Sequence, residues 1–414
     1  MDANKKIELK KLFDSKLNIV MKMYLETCAR CGNCIDACHV YASRKDIKNS
    51  AVYRHEFIRK LYTYLYKVRG KAWPSINEAL KLDDMDMEQL YEAAYSCTGC
   101  RRCMVNCPFG IDTQMIMSIA KLLLIGSGKE PQVLSMLADM SIAKGKMDDN
   151  TKANFEKGIK NLETEVIEKW KSEAGKEAIP MGVQDANILY VALAGKHSII
   201  PAAAIMNAAK EKWSLSYFEA VNFGAFVGNP QKTKEIAERI INEAKRLNVK
   251  EVTICECGTA FRVMKYMMGK QPFKVTSFVE VMSLYLKDGK IKLDKNKHQG
   301  KFSYHDPCQM ARNGGIYDEA REIISHLTDN FEELTPNKKH NWCCGGGGGA
   351  MAIHPKEYRA KNAKVKAEQI KATNPDILAT ACENCHGQLK DLNDYYKLDI
   401  KVEFLSSLVA DSLI

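Results

Sequence analysis

The spacing of apolar positions divides the chain near residue 187. Over residues 5–25, apolar side chains recur among lysines at the three- and four-residue spacing of an amphipathic helix, and residues 39–96 repeat this pattern. The segment from about residue 134 to residue 180 is charged and helix-prone, which predicts a helical connector. The part of the chain before residue 187 is therefore predicted to be almost entirely helical.

From residue 187 onward, short apolar runs alternate with helical patterns. Strands are predicted at 188–194, 251–255, 302–305 and 376–380. Helices are predicted at 200–213, 233–247, 317–327 and 358–373. This alternation is typical of parallel sheets covered by helices, so the predicted fold class is α + α/β. The tail, 404–414, is predicted to form a short amphipathic helix that packs on the second half of this region or on a partner.

Two parts of the α/β region resemble each other. The strand predicted to end at Cys255 is followed by Cys257, and the strand 376–380 is followed by Cys382 and Cys385. Only one residue separates the first two cysteines, and no Cys-Cys-Gly segment accompanies them, which excludes a second complete cysteine site. Cys255 and Cys257 are either small buried side chains or an extra ligand or redox thiol at the other site.

Eight of the fifteen cysteines form two copies of the spacing C-x₂-C-x₂-C-x₃-C. They are Cys28, Cys31, Cys34 and Cys38, and then Cys97, Cys100, Cys103 and Cys107, the last followed by Pro108. In two-cluster ferredoxins the fourth cysteine of each motif binds the other cluster. One cubane [4Fe-4S] cluster is thus predicted on Cys28, Cys31, Cys34 and Cys107, and a second on Cys97, Cys100, Cys103 and Cys38. His39 follows Cys38 where a proline is usual, a departure expected to affect local geometry or potential.

Five further cysteines occur at three points of the C-terminal part. They are Cys308 in Tyr304-His-Asp-Pro-Cys, the pair Cys343-Cys344 before five glycines, and Cys382 and Cys385. Five thiolates exceed the four ligands of a tetrahedral zinc ion, and soft sulfur ligands in this number suit an iron–sulfur assembly, with zinc or disulfides as the alternatives. Glycines 345–349 would let the backbone approach a bulky cluster. No Gly-Lys-Ser/Thr follows them, so a phosphate loop is not favoured.

The distribution of charge and the first residues of the chain give expectations about the cellular compartment and the binding partners of the protein. The chain starts Met-Asp-Ala-Asn-Lys-Lys, without the apolar core of a signal peptide, so the cysteines are expected to bind metal in a reducing compartment. No apolar run approaches ~18 residues, and no transmembrane segment is expected. Residues 1–72 hold sixteen Lys/Arg against seven Asp/Glu. We interpret this basic excess as compensation for anionic clusters and as a partner-facing surface, not as a nucleic-acid site.

The pattern Cys308…Cys343-Cys344…Cys382-x-x-Cys385 resembles the cysteine-rich CCG domain of heterodisulfide-reductase-like proteins. The Tyr304-His-Asp-Pro-Cys308 segment and the glycine run are similar to iron–sulfur subunits of membrane-associated redox complexes of sulfate reducers. Residues 39–96 resemble the helical ferredoxin domain of succinate-dehydrogenase and heterodisulfide-reductase subunits. The resemblance covers nearly the whole chain and implies that these five cysteines bind a noncubane [4Fe-4S] cluster.

Together the patterns and the resemblance predict four segments. Residues 1–130 form a helical ferredoxin domain with two cubanes, and 131–186 a helical connector. Residues 187–298 form a degenerate first CCG-like α/β half. Residues 299–414 form a second CCG half that holds the noncubane cluster, and each half contains a parallel sheet.

The resemblance implies an oxidoreductase that is active within a complex. Two cubanes would pass electrons to the noncubane site, which reduces or forms a disulfide or trisulfide on a small thiol or a carrier protein. His305, His340 and His386 adjoin cluster cysteines and are candidate proton donors to departing thiolates, although each is also explained by a structural hydrogen bond.

Two other functions stay open at this point. One is a pure electron relay to or from a quinone-, cytochrome- or flavin-linked partner. The other is an accessory subunit of a 2-hydroxy-acid or glycerol-phosphate dehydrogenase. No G-x-G-x-x-G fingerprint is present, so the chain itself is not expected to bind a flavin or nicotinamide. The expected location is the cytoplasm, peripheral on the inner face of the membrane through a flavoprotein, cytochrome or membrane subunit.

Overall fold

The computed structural model describes residues 2–145, 147–170, 178–193 and 195–414, without the side chain of residue 170. Residues 171–177 of the predicted connector and residue 194 of the predicted strand 188–194 lie outside the described residues. The chain divides into two compact units. The helical unit comprises Met1–Met136, Phe226–Asn229 and Trp342–Glu368, and the sheet unit comprises Leu137–Ala225, Pro230–Asn341 and Gln369–Ile414.

The elements follow in chain order. The helices are α1 (Ala3–Lys16), α2 (Ile19–Thr27), α3 (His39–Arg44), α4 (Ala51–Tyr66), α5 (Val68–Ala72), α6 (Met87–Tyr95), α7 (Arg102–Val105), α8 (Thr113–Gly126), α9 (Gln132–Lys144), α10 (Asp149–Trp170), α11 (Lys196–Ala208), α12 (Phe223–Val227), α13 (Pro230–Arg246), α14 (Gly258–Arg262), α15 (Phe278–Lys287), α16 (Asp318–Leu327), α17 (Ala350–Ile353), α18 (Lys356–Asn362), α19 (Lys364–Thr373), α20 (Glu383–Tyr396) and α21 (Leu405–Asp411). The strands are β1 (Ile188–Val191), β2 (Trp213–Leu215), β3 (Glu251–Ile254), β4 (Lys274–Ser277), β5 (Phe302–His305), β6 (Ile377–Thr380) and β7 (Lys401–Phe404).

The helical unit is built around α8, which is apolar on almost every side and packs against α1, α4 and α6. A helix that is apolar all round belongs in a core, and Ile116, Ile119 and Leu123 of α8 are fully buried. Gly126 lets α1 approach closely, because a Cβ at this position would overlap Leu12. α8 thereby fixes the helices that flank the cysteine motifs.

The helix predicted over 5–25 is observed as two helices, α1 and α2. Asn18 ends the continuity because its side-chain oxygen accepts a hydrogen bond from the Met21 N–H at 2.8 Å, which caps α2. Asp2 caps α1 in the same way. Asparagine and aspartate favour this position because they satisfy N–H groups that have no partner within the helix.

Two parallel sheets form the sheet unit, with strand orders β2-β1-β3-β4 and β5-β6-β7. All residues of β1, β5 and β6 are buried, as expected for parallel strands with both faces covered. This confirms the predicted fold class, helical and then α/β with parallel sheets. Strands β2, β4 and β7 were not predicted, because polar or charged side chains interrupt their short apolar runs.

The predicted tail 404–414 consists of the end of β7 followed by α21. α21 packs against α11 in the first half of the α/β region, and Leu405 and Val409 are fully buried. Ser406 anchors the start of α21, because its backbone N–H and its hydroxyl both donate to the buried Glu256 carboxylate, at 3.2 and 2.8 Å. The tail is therefore part of the core of the sheet unit.

The compact units differ in one respect from the four predicted segments. Residues 342–368, with Cys343, Cys344 and the glycine run, group with the helical unit and not with the rest of 299–414. The reason is local, because α18 in this segment packs against α3. Among the helices that the structure describes, none combines the length and the apolar composition needed to cross a bilayer.

Replacing Leu405 with Ala should lower the free energy of unfolding of the sheet unit by about 2–5 kcal/mol, because it leaves a cavity under α21. Leu284→Ala is the matched control, since Leu284 is 49% exposed on α15 and its loss should change stability by less than about 0.5 kcal/mol. Anaerobic urea unfolding followed by circular dichroism measures both. Equal effects of the two substitutions would show that α21 is not a core helix.

Candidate metal centres

The first cysteine group lies in the helical unit, where one cavity is lined by four cysteines from two loops. Three of them belong to the loop that follows α2 and the fourth follows α7; they are Cys28, Cys31, Cys34 and Cys107. The structure thus brings together the set that the spacing assigns to the first cubane. Cys31 is exposed, so this group reaches the surface of the unit.

A buried histidine accompanies the first group. His55 on α4 is 2% exposed, and its Nε2 lies 3.2 Å from the carbonyl oxygen of Tyr24. Burial alone would lower the pKa of His55, but the Cys28 sulfur and the Glu56 carboxylate raise it to about 9. His55 therefore places a positive charge beside the first group at neutral pH.

The second group lines a separate cavity in the same unit. It comprises Cys38, Cys97, Cys100 and Cys103. The cavity is again lined by three cysteines of one motif and the fourth of the other.

A buried arginine accompanies the second group. Arg54 on α4 is 2% exposed; it donates to Cys38 Sγ at 3.3 Å through Nη1 and to Ser96 Oγ at 2.8 Å through Nη2. Burial disfavours a guanidinium, yet the sulfurs of Cys38 and Cys97 more than offset this and raise the pKa of Arg54. A buried cation needs such compensation, and these sulfurs would supply it once metal binding deprotonates them.

The two motif loops share one backbone conformation. Arg30 and Gly99, each the residue before a second cysteine, have φ values of 54° and 66°. Gly32 and Arg101, each the residue after it, have φ values of 85° and 60°. Positive φ is uncommon for residues other than glycine, so its recurrence at Arg30 and Arg101 shows that the repeated spacing produces a repeated turn.

The segment with the adjacent cysteines also belongs to the helical unit. The N–H groups of Gly345 and Gly346 donate to the sulfurs of Cys343 and Cys344, both at 3.4 Å. Gly348 has φ 68°, and a Cβ there would lie 3.0 Å from the Cys97 carbonyl oxygen. The glycine run therefore provides N–H donors to sulfur and packs closely on the second ferredoxin-type loop.

This packing places Cys343 beside the second group. Thr98 Oγ1 lies 3.3 Å from Cys343 Sγ. Hydrogen bonding to the Cys343 sulfur, together with burial, raises the pKa of Cys100 to about 11. One ring nitrogen of His39 and the sulfurs of Cys100 and Cys343 all lie within 4.8 Å of one another. Cys343 of the C-terminal pattern thus lies close to Cys100 of the ferredoxin pattern, and both belong to the helical unit.

An arginine–tryptophan stack lies next to these cysteines in sequence. The Arg102 guanidinium lies 3.5 Å from the centroid of the Trp342 ring, and it donates to the Ala37 carbonyl oxygen at 3.0 Å. The sequence patterns do not identify Arg54, His55 or Arg102, since the motif specifies only its cysteines and leaves the residues between and around them open. Of the polar residues beside these cysteines, the sequence marks only His39, because it follows Cys38 at a position where proline is usual.

The sheet unit contains the other three cysteines of the C-terminal pattern. Cys308 follows β5 and Cys382 follows β6, and these strands are parallel neighbours, so their carboxyl ends lie at the same edge. Cys382 caps α20, and Cys385 lies in its first turn. Hydrogen bonds from Cys385 and from backbone N–H groups, among them that of Gly258, outweigh burial and lower the pKa of Cys382.

Cys255 and Cys257 follow β3 and are both buried. Burial raises the pKa of Cys257 to about 12, and the Cys382 sulfur adds to the shift. Cys255 lies deeper in the apolar core, where Ser198 hydrogen bonds to it. Both cysteines are therefore core residues of the sheet unit, and the sulfur of Cys382 acts more strongly on Cys257 than on Cys255.

The three candidate proton donors occupy different environments in the sheet unit. His305 on β5 is 1% exposed, with Nδ1 3.3 Å from Asn341 Nδ2. The His386 ring stacks on Phe404 at 4.0 Å, and burial lowers its pKa. His340 is exposed on a 3₁₀ turn.

One further histidine of the sheet unit has no signal in the sequence. His197 Nε2 lies 2.8 Å from Oε2 of Glu383, the residue after Cys382. The His197 ring also stacks on Phe404, at 5.2 Å. No motif marks His197, because it approaches Glu383 only through tertiary packing.

The donor set fits iron–sulfur clusters. All fifteen cysteines lie in the described part of the chain, and none forms a disulfide. Two groups of four sulfurs, each lining one cavity, have the composition of [4Fe-4S] sites. The five cysteines of the C-terminal pattern are divided between the units, with Cys343 and Cys344 in the helical unit and the other three in the sheet unit.

Comparison with known families agrees with these groups. Residues 24–111 match the model of a 4Fe-4S dicluster domain, and residues 302–390 match that of the cysteine-rich CCG domain. The first match spans both ferredoxin-type motifs, and the second spans Cys308 to Cys385. The resemblance inferred from cysteine spacing is confirmed.

Relatives are similar over most of the chain. Iron–sulfur subunit 2 of an Hdr-like menaquinol oxidoreductase from Archaeoglobus fulgidus is 25% identical, over 96% of this chain and 81% of that protein. A dihydromethanophenazine:CoB–CoM heterodisulfide reductase subunit from Methanosarcina mazei is 25% identical, over 96% of both chains. An EtfAB:quinone oxidoreductase from Syntrophomonas wolfei is 21% identical, over 89% of this chain and 55% of that protein. The chain therefore combines a 4Fe-4S dicluster domain with a cysteine-rich CCG domain and is a homologue of Hdr-like iron–sulfur subunits and of this heterodisulfide reductase subunit.

Proposed function

We propose that the chain is the electron-transfer subunit of an Hdr-like redox complex and holds three [4Fe-4S] clusters. Two are cubanes, on Cys28, Cys31, Cys34 and Cys107 and on Cys97, Cys100, Cys103 and Cys38. The third is noncubane, on Cys308, Cys343, Cys344, Cys382 and Cys385. The observation that carries this proposal is the composition of the two cavities of the helical unit, each lined by three cysteines of one motif and the fourth of the other.

Clusters of this kind supply one-electron transfer at potentials set by charge, hydrogen bonds to sulfur and exposure. The chain provides charged side chains, hydrogen bonds to sulfur and differences in exposure at these sites. Arg54 and His55 hold positive charges beside the second and the first group. The N–H groups of Gly345 and Gly346 donate to sulfurs of the third set. The exposed Cys31 makes the first group the one that a partner can approach.

We further propose that the third site reduces or forms a disulfide or trisulfide on a small thiol or a carrier protein. Support comes from the heterodisulfide reductase subunit of Methanosarcina mazei, which is similar to this chain over 96% of both. Both Cys255 and Cys257 are buried in the core of the sheet unit, and Cys257, on which the Cys382 sulfur acts more strongly, is the one that we propose as an additional redox thiol. His305 and His386 are the candidate proton donors, and the exposed His340 is a weaker one.

A second candidate function is a relay without chemistry at the third site. The match to an EtfAB:quinone oxidoreductase and to a menaquinol oxidoreductase subunit favours this alternative, since both names refer to quinone-linked electron transfer. Either function requires other redox subunits, and a peripheral place at the cytoplasmic face of a membrane through such a partner is part of the proposal.

Several lysines of α1, which belong to the basic excess that we interpret as a partner-facing surface, form ion pairs. Lys5, Lys6 and Lys10 pair with acidic residues at 2.9, 2.5 and 2.7 Å, and these pairs are surface-exposed. Much of the local charge of α1 is therefore balanced within the chain. The exposed Cys31 of the first group is a second feature that we propose marks where electrons are exchanged.

Anaerobic analysis of the purified 414-residue chain should find about twelve iron and about twelve sulfide per chain, from three four-iron clusters. An iron content near eight per chain would mean that the third cluster is absent. A value near sixteen would mean that Cys255 and Cys257 help to bind a further cluster.

Replacing Cys344 with Ser should remove the spectroscopic signal of the third cluster and lower iron to about eight per chain, because a serine oxygen is a poor substitute for a soft thiolate. Both cubanes should remain reducible. Cys255→Ser is the matched control and should retain about twelve iron, since Cys255 lies in the core. Equal losses in the two variants would contradict the assignment of Cys344.

Replacing Arg54 with Met should make the midpoint potential of the second cubane more negative by on the order of 60 mV, about 1.4 kcal/mol. The reason is that a buried cation stabilises the more negative, reduced cluster. Redox titration followed by electron paramagnetic resonance measures the change. Arg59→Met is the control, because the ion pairs of Arg59 are with Glu56 and Glu78, beside the first group. A shift of the first cubane alone in Arg54→Met would contradict the role of Arg54.

A further inference from the structure

His39 is a buried side chain whose polar atoms lack ordinary partners. It is 2% exposed, and neither ring nitrogen has a hydrogen-bonded nitrogen or oxygen among the described residues. A buried imidazole without a partner costs free energy, so a histidine at such a position calls for a specific cause.

What faces the ring is sulfur. One ring nitrogen and the Sγ atoms of Cys100 and Cys343 lie within 4.8 Å of one another. These two cysteines belong to different ligand sets, Cys100 to the second cubane and Cys343 to the third cluster. Thr98 Oγ1, 3.3 Å from Cys343 Sγ, fixes the same contact from the other motif loop. The imidazole thus lies at a junction between two cluster sites, with all these residues in the helical unit.

The backbone does not require histidine here. His39 is the first residue of α3, a position where proline is well tolerated because its N–H has no partner in the helix. The other motif carries Pro108 at the equivalent place, directly after Cys107. The difference between the two motifs is therefore in the side chain, and only the motif beside Cys343 has a hydrogen-bond donor there.

We propose that His39 is a positioning residue that couples the second cubane to the third cluster, because the N–H of one ring nitrogen donates a hydrogen bond shared between Cys100 Sγ and Cys343 Sγ. The inference rests on the proposed function. Hydrogen bonds to ligand sulfurs stabilise the reduced cluster, so His39 raises the potentials of both sites together. By holding the two sulfurs in contact, it also keeps the path between the two sites short.

The test uses the 414-residue chain, purified anaerobically with its clusters. His39→Leu removes the N–H donor, His39→Gln retains a donor, and His39→Pro installs the residue of the other motif. His55→Leu is the matched control, because His55 is equally buried and adjoins the Cys28 group. Redox titration followed by electron paramagnetic resonance gives the potential of each cluster, and iron analysis gives cluster content.

In His39→Leu and His39→Pro, the ratio of reduced to oxidised cluster at fixed potential should fall about tenfold for the second and third clusters, equal to 59 mV for a one-electron couple. The midpoint potential of the first cluster should stay unchanged. His39→Gln should show a smaller change, and His55→Leu should shift the first cluster alone. Any magnetic interaction between the second and third clusters in the reduced wild type should weaken in His39→Leu.

Three results would overturn the proposal. The first is full iron content with unchanged potentials of the second and third clusters. The second is loss of iron from His39→Gln as well, which would mean that the ring assembles the site and does not tune it. The third is a stoichiometric zinc ion that disappears with His39, which would mean that His39, Cys100 and Cys343 hold a separate metal. An iron content near eight in the wild type would instead refute the third cluster itself, so the two failures are distinguishable.

Discussion

Burial of thiolate charge is the constraint on which the arrangement of this protein depends. A charge transferred from water to a protein interior is costly unless cations or oriented donors accompany it. The chain meets this requirement differently at each site. Arg54 and His55 provide cations in the helical unit. Backbone N–H groups of the glycine run and of the start of α20 serve the C-terminal cysteines. Bound iron would complete the compensation at every site.

The grouping of the ferredoxin-type cysteines was predictable because it depends on short-range geometry. Three sulfurs separated by two residues each must lie on one turn, and positive φ recurs at equivalent positions of the two loops, at Arg30 and Gly99 and at Gly32 and Arg101. The parallel sheets were predictable for a similar reason, since buried strands such as β1 and β6 are nearly uniform apolar runs. The local sequence pattern was sufficient to predict the structure wherever residues that are close in sequence are also close in the site.

Tertiary packing accounts for what could not be predicted. Arg54 lies sixteen residues from Cys38 on a helix whose apolar spacing gave no reason to bury an arginine. The break between α1 and α2 had a local signal in the capping residue Asn18, yet the apolar period continues across it. Residues 342–368 group with the helical unit through contacts such as that of α18 with α3, which no spacing of cysteines reveals. The glycine run shows the same limit, because its packing on Cys97 follows from the fold and not from the motif.

The two ferredoxin-type sites are alike in backbone and unlike in environment, and this difference gives them separate roles. The first includes the exposed Cys31 and has a histidine at its side, whereas the second is enclosed, holds a buried guanidinium and adjoins Cys343. Charge in an enclosed site is screened less by water and salt, so its potential responds more to nearby side chains than that of a site at the surface. In the proposed function, the first site would exchange electrons with a partner, and the second would hold a potential set by the chain itself. A symmetric pair of loops thus yields a directional pair of sites through the residues packed around them.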